Sequence, residues 1–373
     1  MDKALVIDWR IPTPDRDGGS LRVISLMRAL RALSYDVTFA SVVPEAWAPY
    51  DATLARDADA IRAHGITVYP GTAEACLQEQ GNDTALLLFT GGVMLIYHRL
   101  ATMRALAPHA TIVFDTVDLS CVRLFRQAKA TNNARTLARA VQTKSREFAA
   151  ARVVDCTLVV SPTELLYMAR ECPEANVALV TDVHEVRTDP PPFADRHDFF
   201  FVGTYEFNAN IDAMEHYLDT IHPLTRQHLP GAHFSAIGSE PPAGLRARAA
   251  DDVTITGHIP DIGPWFDRAR LSIAPLRYGA GVKGKVLRSL EQGLPVVATT
   301  IAAEGLHATH GEHILIADEP AAFAAAIATL HEDADLWARL SAGGRAVVAE
   351  HFSFTTVCNQ LTAAIASTRA LVR

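Results

Sequence analysis

Cysteine is scarce in this sequence, and the few cysteines are scattered along it. The 373 residues include five cysteines, none of them spaced as a CxxC pair: Cys76, Cys121, Cys156, Cys172 and Cys358. An odd number at such distances argues against a disulfide framework and against a cysteine-based zinc site. We therefore expect a reducing environment such as the cytoplasm.

Long apolar runs are also missing. No uninterrupted stretch reaches the roughly 18 apolar residues that a membrane-spanning helix needs. The chain enters an apolar strand almost at once, without the pattern of a signal peptide. The sequence thus predicts a cytoplasmic protein. Peripheral contact with a lipid-linked substrate at the inner face of the membrane stays open.

An excess of positive charge is the third missing feature. The sequence has 34 Lys and Arg against 42 Asp and Glu, a net charge of −8, and a pI of about 6.0. This balance argues against a nucleic-acid partner, because proteins that bind nucleic acid usually present a basic surface. The hydrophobic fraction of 49% is ordinary for a globular enzyme, and the length is sufficient for two domains.

Short apolar segments alternate with helical patterns along the chain. The first such unit is the strand Ala4–Trp9, then a glycine loop, then a helix with Ser20 as its predicted N-cap. Alternation of this kind favours parallel sheets covered on both faces, and a proline-rich stretch at 188–198 indicates a linker. We predict an α/β fold with doubly wound domains over 1–187 and 199–350. A terminal helix over 351–373 is expected to pack back on the first domain, and a ligand cleft is expected between the domains.

One glycine-rich stretch organises the second domain. It is predicted as a strand, a turn, a helix with a glycine cap, and a second strand: Leu271–Pro275, Gly279–Gly284, Lys285–Gln292, Gly293 and Leu294–Ala298. Unpaired N–H groups at the helix start, the helix dipole, Lys283 and Lys285 would together favour an anion such as a diphosphate. The alternative is an ordinary strand-to-helix turn with solvated lysines.

Several segments resemble a known family. They include Phe201-Val-Gly-Thr-Tyr-Glu-Phe-Asn-Ala-Asn-Ile-Asp212, Gly257-His-Ile-Pro-Asp261, Ala274-Pro-Leu-Arg-Tyr-Gly-Ala-Gly-Val-Lys-Gly-Lys285 and Ala302-Ala-Glu-Gly-Leu306. Pro12-Thr-Pro-Asp-Arg-Asp-Gly-Gly-Ser20 and Asp115-Thr-Val-Asp-Leu119 add to them in the first half. Together they resemble family 4 glycosyltransferases of the GT-B fold, in the branch that carries the motif RYGAGVKGK.

The resemblance implies a chemistry. Members of that family transfer a sugar from a nucleotide-sugar donor, with retention of configuration, to a glycan, a lipid-linked acceptor or another glycoconjugate, as in polysaccharide biosynthesis. They need no metal or other cofactor, since positive side chains and helix dipoles stabilise the leaving phosphate. Asp57-Ala-Asp59 and Asp333-Ala-Asp335 have the DxD pattern of metal-dependent transferases, but both lie in alanine-rich helical stretches and are interpreted as solvated helix faces.

The sequence departs from the family at two positions. The glutamate that usually receives the ribose hydroxyls of the donor aligns with Arg288, which has no acceptor atom. Glu291, one turn later, is a candidate substitute, with a structural or solvated glutamate as the alternative. Relatives commonly have Asp-Leu-His where this chain has Asp118-Leu-Ser120, and serine does not act as a base unaided.

These departures leave two explanations. One is an unusual donor whose additional anionic group pairs with Arg288. The other is lost catalysis, in which case the chain is a GT-B module that binds a nucleotide or a protein partner.

The resemblance also assigns roles to individual residues. Lys283 and Arg277 would stabilise the leaving diphosphate, although Arg277 could instead pair with a structural carboxylate. Asp118 would position the acceptor or the sugar, with helix capping as its alternative role. The predicted donor-binding set is Gly203, His258, Ile259, Tyr278, Gly281, Val282, Lys283, Arg288, Glu291 and Glu304. The predicted acceptor-side set is Gly18, Gly19, Ser120 and Arg123.

Overall fold

The chain folds as two α/β units. A computed structural model describes residues 1–14, 18–42 and 52–371. Backbone contacts divide the chain into unit 1, which comprises Met1–Val122, Leu137–Val183 and Phe354–Arg373, and unit 2, which comprises Arg123–Thr136 and His184–Ser353. The predicted motif Pro12–Ser20 includes residues 15–17, which lie outside the described residues.

Unit 1 is built on a seven-stranded parallel sheet with the strand order β3-β2-β1-β4-β5-β6-β7. Its strands are β1 (Lys3–Asp8), β2 (Asp36–Ser41), β3 (Thr67–Thr72), β4 (Thr84–Phe89), β5 (Thr111–Asp115), β6 (Cys156–Val159) and β7 (Val177–Leu179). The middle of β1, from Ala4 to Ile7, is at most 2% exposed. Because both faces of the sheet are covered, its central strands are continuous apolar runs rather than alternating ones.

Seven helices connect or follow these strands in the described part of the chain. They are α1 (Gly18–Ala32), α2 (Ala52–Ala63), α3 (Ala73–Gln80), α4 (Val93–Leu106), α5 (Ser120–Thr131), α6 (Ala134–Val153) and α7 (Pro162–Glu171). The prediction of Ser20 as an N-cap is wrong, because α1 begins two residues earlier and Ser20 lies inside its first turn. The two glycines before it adopt helical geometry instead of forming a separate loop.

Unit 2 repeats the plan with six parallel strands in the order β10-β9-β8-β11-β12-β13. The strands are β8 (His197–Val202), β9 (Phe234–Ile237), β10 (Val253–Ile255), β11 (Ala269–Ala274), β12 (Val296–Ala298) and β13 (Leu315–Ile316). Its core is mainly aliphatic and includes aromatic residues, of which Phe199, Phe201 and Phe234 are at most 1% exposed. Both sheets therefore have the Rossmann-like order, and the prediction of two doubly wound domains is confirmed.

The helices of unit 2 are α8 (Asn208–His216), α9 (His222–His228), α10 (Ala243–Arg246), α11 (Gly263–Arg268), α12 (Gly284–Glu291), α13 (Thr300–Ala303), α14 (Pro320–Glu332) and α15 (Ala334–His351). The predicted site helix is thus α12, displaced by one residue from its predicted start. Gly293 follows it with φ at +69°, and its N–H donates to Leu290 O at 3.0 Å. A left-handed glycine after the last turn is the predicted helix stop.

The final helix, α16 (Phe354–Leu371), belongs to unit 1. It packs against α1, against β6 and against the edge strand β7. Val357 and Leu361 are at most 1% exposed and share an apolar cluster with Met27 and Leu30 of α1. Across residues 1–14, 18–42 and 52–371, no helix is both long enough and apolar enough to cross a bilayer.

Candidate functional site

Each sheet has one point where the strand order reverses. In unit 1 it lies between β1 and β4, and in unit 2 it lies between β8 and β11. Open parallel sheets bind ligands beyond the carboxyl ends of the strands at this point. In unit 2 the loops that leave β8 and β11 contain Gly203 and the stretch 275–283, which include several of the predicted donor-binding residues.

Lys283 is the N-cap residue of α12, and its side chain folds back into its own loop. The ammonium donates to Ala280 O at 3.1 Å and to Gly281 O at 2.7 Å, and the residue is 8% exposed. Gly281 has φ at +62°, a conformation that glycine adopts without strain. Lys283 therefore stabilises the glycine turn. Its contact with a diphosphate stays a prediction.

Lys285, two residues later in the first turn of α12, has different surroundings. Its ammonium donates to Asn210 Oδ1 of α8 and lies 4.2 Å from the centre of the Phe201 ring. No carboxylate of the described residues forms an ion pair with it. Burial lowers the pKa of Lys285 to about 7, and the neighbouring charge of Lys283 acts in the same direction. A partly buried ammonium without an anionic partner favours an anionic ligand.

Gly203 lies against the side chains of Lys285 and Asn210. A Cβ atom at position 203 would lie 2.7 Å from Lys285 Nζ and 2.8 Å from Asn210 Nδ2. The Asn210 amide is itself held by a 2.6 Å hydrogen bond from Nδ2 to Thr204 O. We call Gly203, Asn210 and Lys285, with the amide groups that begin α12, the Lys285 site.

The close approach at Gly203 gives a testable prediction. Gly203→Ala should displace the Lys285 ammonium and lower the affinity for inorganic diphosphate by about tenfold, equivalent to about 1.4 kcal/mol, measured by calorimetry. Gly244→Ala is the matched control, because a Cβ at that helical position meets nothing within 4 Å. Equal affinities for the two variants, with unchanged thermal unfolding, would contradict the assignment of Gly203 to this site.

Arg277 and Tyr278 precede the glycine turn. The Arg277 guanidinium pairs with both oxygens of Asp212 on α8, and its Nε lies 2.9 Å from Oδ2. This is the pairing with a carboxylate that the sequence left as an alternative. Tyr278 is 3% exposed, and burial raises its pKa to about 12.

Glu304 is engaged by a cation within unit 2. Arg126 of α5 donates to both of its carboxylate oxygens, at 2.5 and 2.7 Å, and to Gly279 O at 2.8 Å. The guanidinium therefore links the glycine turn to the loop after α13. The predicted role of Glu304 in donor binding stays a prediction, with this ion pair as its observed contact.

Glu291 is 4% exposed near the C-terminus of α12. Its carboxylate lies 2.7 Å from His184 Nδ1 and 3.1 Å from Arg288 Nη1. The side chain of Arg288 is itself half exposed. The carboxylate that was predicted to substitute for the family's ribose ligand thus anchors the segment that enters unit 2. Its contact with a donor stays a prediction, as does that of Arg288.

The other predicted donor-side residues lie around the same sheet edge. His258 is exposed in the loop after β10, whereas Ile259 packs against the apolar cluster that contains Phe200 and Phe266. Val282 is partly buried beside the main core of the unit. The structure therefore brings Gly203, Gly281 and Lys283 to loops at one sheet edge, while Glu291 lies at the far end of α12.

Unit 1 contains a cavity of about 200 Å³ at its own switch point. It is lined by Asp8, Trp9, Arg10, Pro12, Gly19, Ser20, Val23, Thr90, Gly91 and Val117. Asp8 accepts a 2.7 Å hydrogen bond from the Thr90 hydroxyl, and burial raises the pKa of its carboxyl group. Of the predicted acceptor-side residues, Gly19 lines the cavity. Gly18 begins α1, and Ser120 and Arg123 lie in the first turn of α5.

A strained turn borders this cavity. Val117 has φ at +61°, and Asp118 N donates to Thr116 O at 2.7 Å across it. This geometry is rare for a β-branched residue and indicates a position that the surrounding structure enforces. The Ser120 hydroxyl donates to Asp118 Oδ1 at 3.2 Å, so the two predicted residues contact each other.

Two buried glutamates that the sequence analysis missed hold this turn. Glu147 accepts from the N–H groups of Ser120 at 2.9 Å and Cys121 at 3.1 Å, and Glu164 accepts from Leu119 N at 2.8 Å. Burial raises the pKa of both carboxyl groups to about 7. One sequence feature could have identified Glu147: it is the one acidic residue between Ser120 and Val153, a segment rich in Arg and Lys.

The acidic pairs with a DxD pattern have structural partners. Asp57 is 2% exposed and pairs with Arg56, so its interpretation as part of a solvated helix face is wrong. Asp59 is exposed and pairs with Arg62, and Asp333 caps α15. The described residues contain no group of three or more His, Cys, Asp or Glu side chains placed to hold a metal ion. Independence from metals stays a prediction.

Comparison with known proteins places the fold in a class. A structure of sucrose-phosphate synthase from Thermosynechococcus elongatus superposes with a TM-score of 0.75 at 16% identity, over 100% of both chains. Anabaena HepE, solved with UDP and glucose, superposes with a TM-score of 0.73 at 15% identity, over 98% of this chain and 100% of that one. The two Rossmann-like units therefore have the GT-B fold of glycosyltransferases.

Comparison of sequences gives a family match within unit 2. A family model described as "Glycosyl transferases group 1" matches residues 196–333. A curated Klebsiella pneumoniae protein, described as an uncharacterized 44.6 kDa protein in the cps region, is 26% identical over 134 residues. That alignment covers 33% of this chain and about a third, 34%, of the length of the relative.

Proposed function

We propose that the chain is a glycosyltransferase that moves a sugar from a nucleotide-sugar donor to a glycan, lipid-linked or other glycoconjugate acceptor. The observation that carries the proposal is the Lys285 site, a partly buried ammonium at the start of α12 without a carboxylate partner among the described residues. It lies in the region that matches the group 1 glycosyltransferases. HepE, which shares the fold, was solved with UDP and with UDP-glucose.

In this proposal the diphosphate of the donor occupies the Lys285 site. The Lys285 ammonium and the first N–H groups of α12 would stabilise the charge that develops on the leaving nucleotide. Lys283 would contribute by holding the glycine turn in shape. Retention of configuration and independence from a metal belong to the proposal through the family resemblance, as does a position on the cytoplasmic side of the membrane.

The acceptor would bind in the cavity of unit 1. Its volume of about 200 Å³ lies below the ~300 Å³ at which pockets begin to enclose a drug-sized ligand, which suits one sugar ring. Trp9 offers an aromatic surface, and Asp8 offers a carboxylate for hydroxyl groups. Asp118, in the adjacent strained turn, is the predicted residue for positioning that acceptor.

A donor screen tests the proposal. Saturation-transfer NMR of the full chain against UDP-, GDP-, ADP- and CMP-sugars should identify at least one donor, and mass spectrometry should then detect transfer to saccharide acceptors. We expect UDP-glucose or another UDP-sugar to bind. Absence of binding across the whole panel would refute the proposal.

A second candidate function is a GT-B module that binds a nucleotide without transferring a sugar. Arg288 favours it, because the position that usually offers a ribose ligand holds a cation paired with Glu291. The same screen separates the two functions, since this module would bind a nucleotide and yield no product with any acceptor. Gain of transfer in Arg288→Glu would identify the arginine as the cause.

A further inference from the structure

Three consecutive carbonyl oxygens of the glycine turn are bound by cations. The Gly279 carbonyl accepts a 2.8 Å hydrogen bond from Arg126 Nη1, and the carbonyls of Ala280 and Gly281 accept from the Lys283 ammonium. Arg126 lies 153 residues earlier, in the part of α5 that belongs to unit 2. A carbonyl oxygen repels an anion, and a cation bound to that oxygen offsets the repulsion. The two cations therefore make the surroundings of the turn more favourable for an anionic ligand.

The carboxylate of Glu304 holds Arg126 in place. The two terminal nitrogens of the guanidinium each donate to one carboxylate oxygen, at 2.5 and 2.7 Å. This two-point contact is one that the planar fork of arginine makes and lysine does not. The Arg126 and Glu304 side chains are 26% and 17% exposed. Because Nη1 binds Glu304 and the Gly279 carbonyl at the same time, the ion pair fixes the direction of that carbonyl.

The segment that precedes Glu304 contacts the turn at a second point. Thr299, the N-cap residue of α13, is buried, and its hydroxyl donates to Leu276 O at 2.7 Å. Helix α13 is thus flanked by the Leu276 contact at its start and by the Glu304–Arg126 pair at its end. The stretch 276–279 is held at both of its ends by these contacts.

We propose that Arg126 and Glu304 are positioning residues for the Lys285 site, which keep the glycine turn in the shape that admits a diphosphate. The inference rests on the proposed function, since the diphosphate is that of the donor. Lys283 connects the turn to the site, because it binds two carbonyls of the turn and is also the N-cap residue of α12. In this role Glu304 acts through the guanidinium, and its predicted direct contact with the donor is not needed.

The sign of one substitution separates positioning from an effect of charge. Glu304→Gln removes a negative charge near the turn, and through charge alone it should strengthen the binding of an anion. If Glu304 holds Arg126, the same substitution removes one half of a two-point contact and should weaken that binding. Inorganic diphosphate is the suitable probe, because it has no ribose or sugar for Glu304 to contact.

Calorimetric titration of the full chain with inorganic diphosphate tests the proposal. Arg126→Met and Glu304→Gln should each lower the affinity by about tenfold, less than for a fully buried pair because both side chains are partly exposed. The double variant should lose about the same factor as either single variant, since the two residues act as a unit. Its net charge equals that of the wild type, so an effect of charge alone predicts wild-type affinity. Arg126→Lys should recover part of the loss.

Hydrogen exchange without ligand provides a second measurement. Amides of residues 276–283 should exchange faster in Arg126→Met and in Glu304→Gln than in the wild type, because the turn opens more often. The matched control is Arg248→Met with Asp219→Asn, which breaks an exposed ion pair of unit 2. It should change neither this exchange nor the affinity for diphosphate. Equal thermal unfolding of all variants excludes loss of the fold as the cause.

The results distinguish failure of this inference from failure of the proposed function. No binding of diphosphate to the wild type would refute the Lys285 site itself. Binding that Arg126→Met and Glu304→Gln leave unchanged, or that Glu304→Gln strengthens, would overturn the inference and leave the site intact. Faster exchange with unchanged affinity would also overturn it, because the pair would then stabilise the turn without serving the site.

Discussion

Replacement of Lys285 with methionine should weaken the binding of UDP-glucose by about 30-fold or more. The loss of one charged partner from a desolvated pair with a phosphate costs about 2 kcal/mol or more, which corresponds to that factor. Methionine keeps an unbranched apolar side chain as far as Cε and removes the ammonium that lies over the Phe201 ring. Isothermal titration calorimetry of the full chain measures the change directly.

The same lysine should make donor binding depend on pH. Burial lowers the pKa of Lys285 to about 7, from about 10.4 in an unfolded chain. The free protein therefore loses the ammonium above neutral pH, and a bound diphosphate, which favours the charged form, should restore it with uptake of a proton. Affinity for UDP-glucose should accordingly fall as the pH rises from about 7 to 8.5, by at most about tenfold per unit.

The sign for stability is opposite to that for binding. Because the folded pKa is lower than the unfolded one, the unfolded chain binds more protons between the two values. The contribution of Lys285 to stability without ligand therefore rises with pH in that interval. The fold disfavours the charged form of Lys285, whereas the proposed ligand requires it. Such a conflict is expected of a residue that serves binding rather than stability.

Two variants delimit this interpretation. Lys285→Met should abolish the pH dependence of donor binding between about pH 7 and 8.5, together with the proton uptake measured in buffers of different ionisation enthalpy. Lys3→Met, which removes an exposed lysine paired with Asp83, should bind UDP-glucose as the wild type does. A wild-type affinity that does not change with pH, combined with full binding by Lys285→Met, would refute the Lys285 site.

The sequence predicts the glycine turn and its helix closely, and it is less specific about which lysine serves the site. Alternating segments, the apolar β11 strand and Gly293 are local signals, and they identify the strand, the turn and the helix stop. Lys283 and Lys285 are equivalent in such a pattern. Their difference arises from partners distant in sequence, since Lys283 meets its own loop and Lys285 meets Asn210 and Phe201.

The turn at Val117 is a second feature of the structure that the sequence does not predict. Its support comes from Glu147 on α6 and Glu164 on α7, which approach the same few N–H groups only after the sheet has formed. A glutamate in a helical pattern is usually solvated, so Glu164 has no local signal, and the signal for Glu147 is only that it is the one acidic residue between Ser120 and Val153. The left-handed backbone of Val117 is likewise contrary to the preference of a β-branched residue. Sequence patterns indicate elements well, whereas these contacts depend on the tertiary fold.

Arg22, a buried arginine beside the carboxyl end of β5, shows how tertiary contacts join the elements of unit 1. Arg22 of α1 is 3% exposed, and Asp115 at the end of β5 is fully buried. The guanidinium donates to both oxygens of Asp115, at 2.7 to 3.1 Å, and to Asp182 Oδ1 at 3.0 Å. It also donates to the carbonyls of Val180 and Thr181 at 2.8 and 3.1 Å. One side chain thus joins α1, β5 and the segment that follows β7.

Arg22→Met should destabilise unit 1 by about 3–5 kcal/mol, because it leaves the Asp115 carboxylate buried without its cation and two carbonyls without donors. For a unit of this size that cost lowers the midpoint of thermal unfolding by about 2–4 °C per kcal/mol, followed by circular dichroism. Arg62→Met is the matched control, since its pair with Asp59 is exposed and such pairs contribute about 0–1 kcal/mol. Arg22→Lys should fall between the two, because lysine keeps the charge and loses the planar fork. Equal midpoints for Arg22→Met and Arg62→Met would show that the network contributes little, and that packing of α1 on the sheet alone holds this edge.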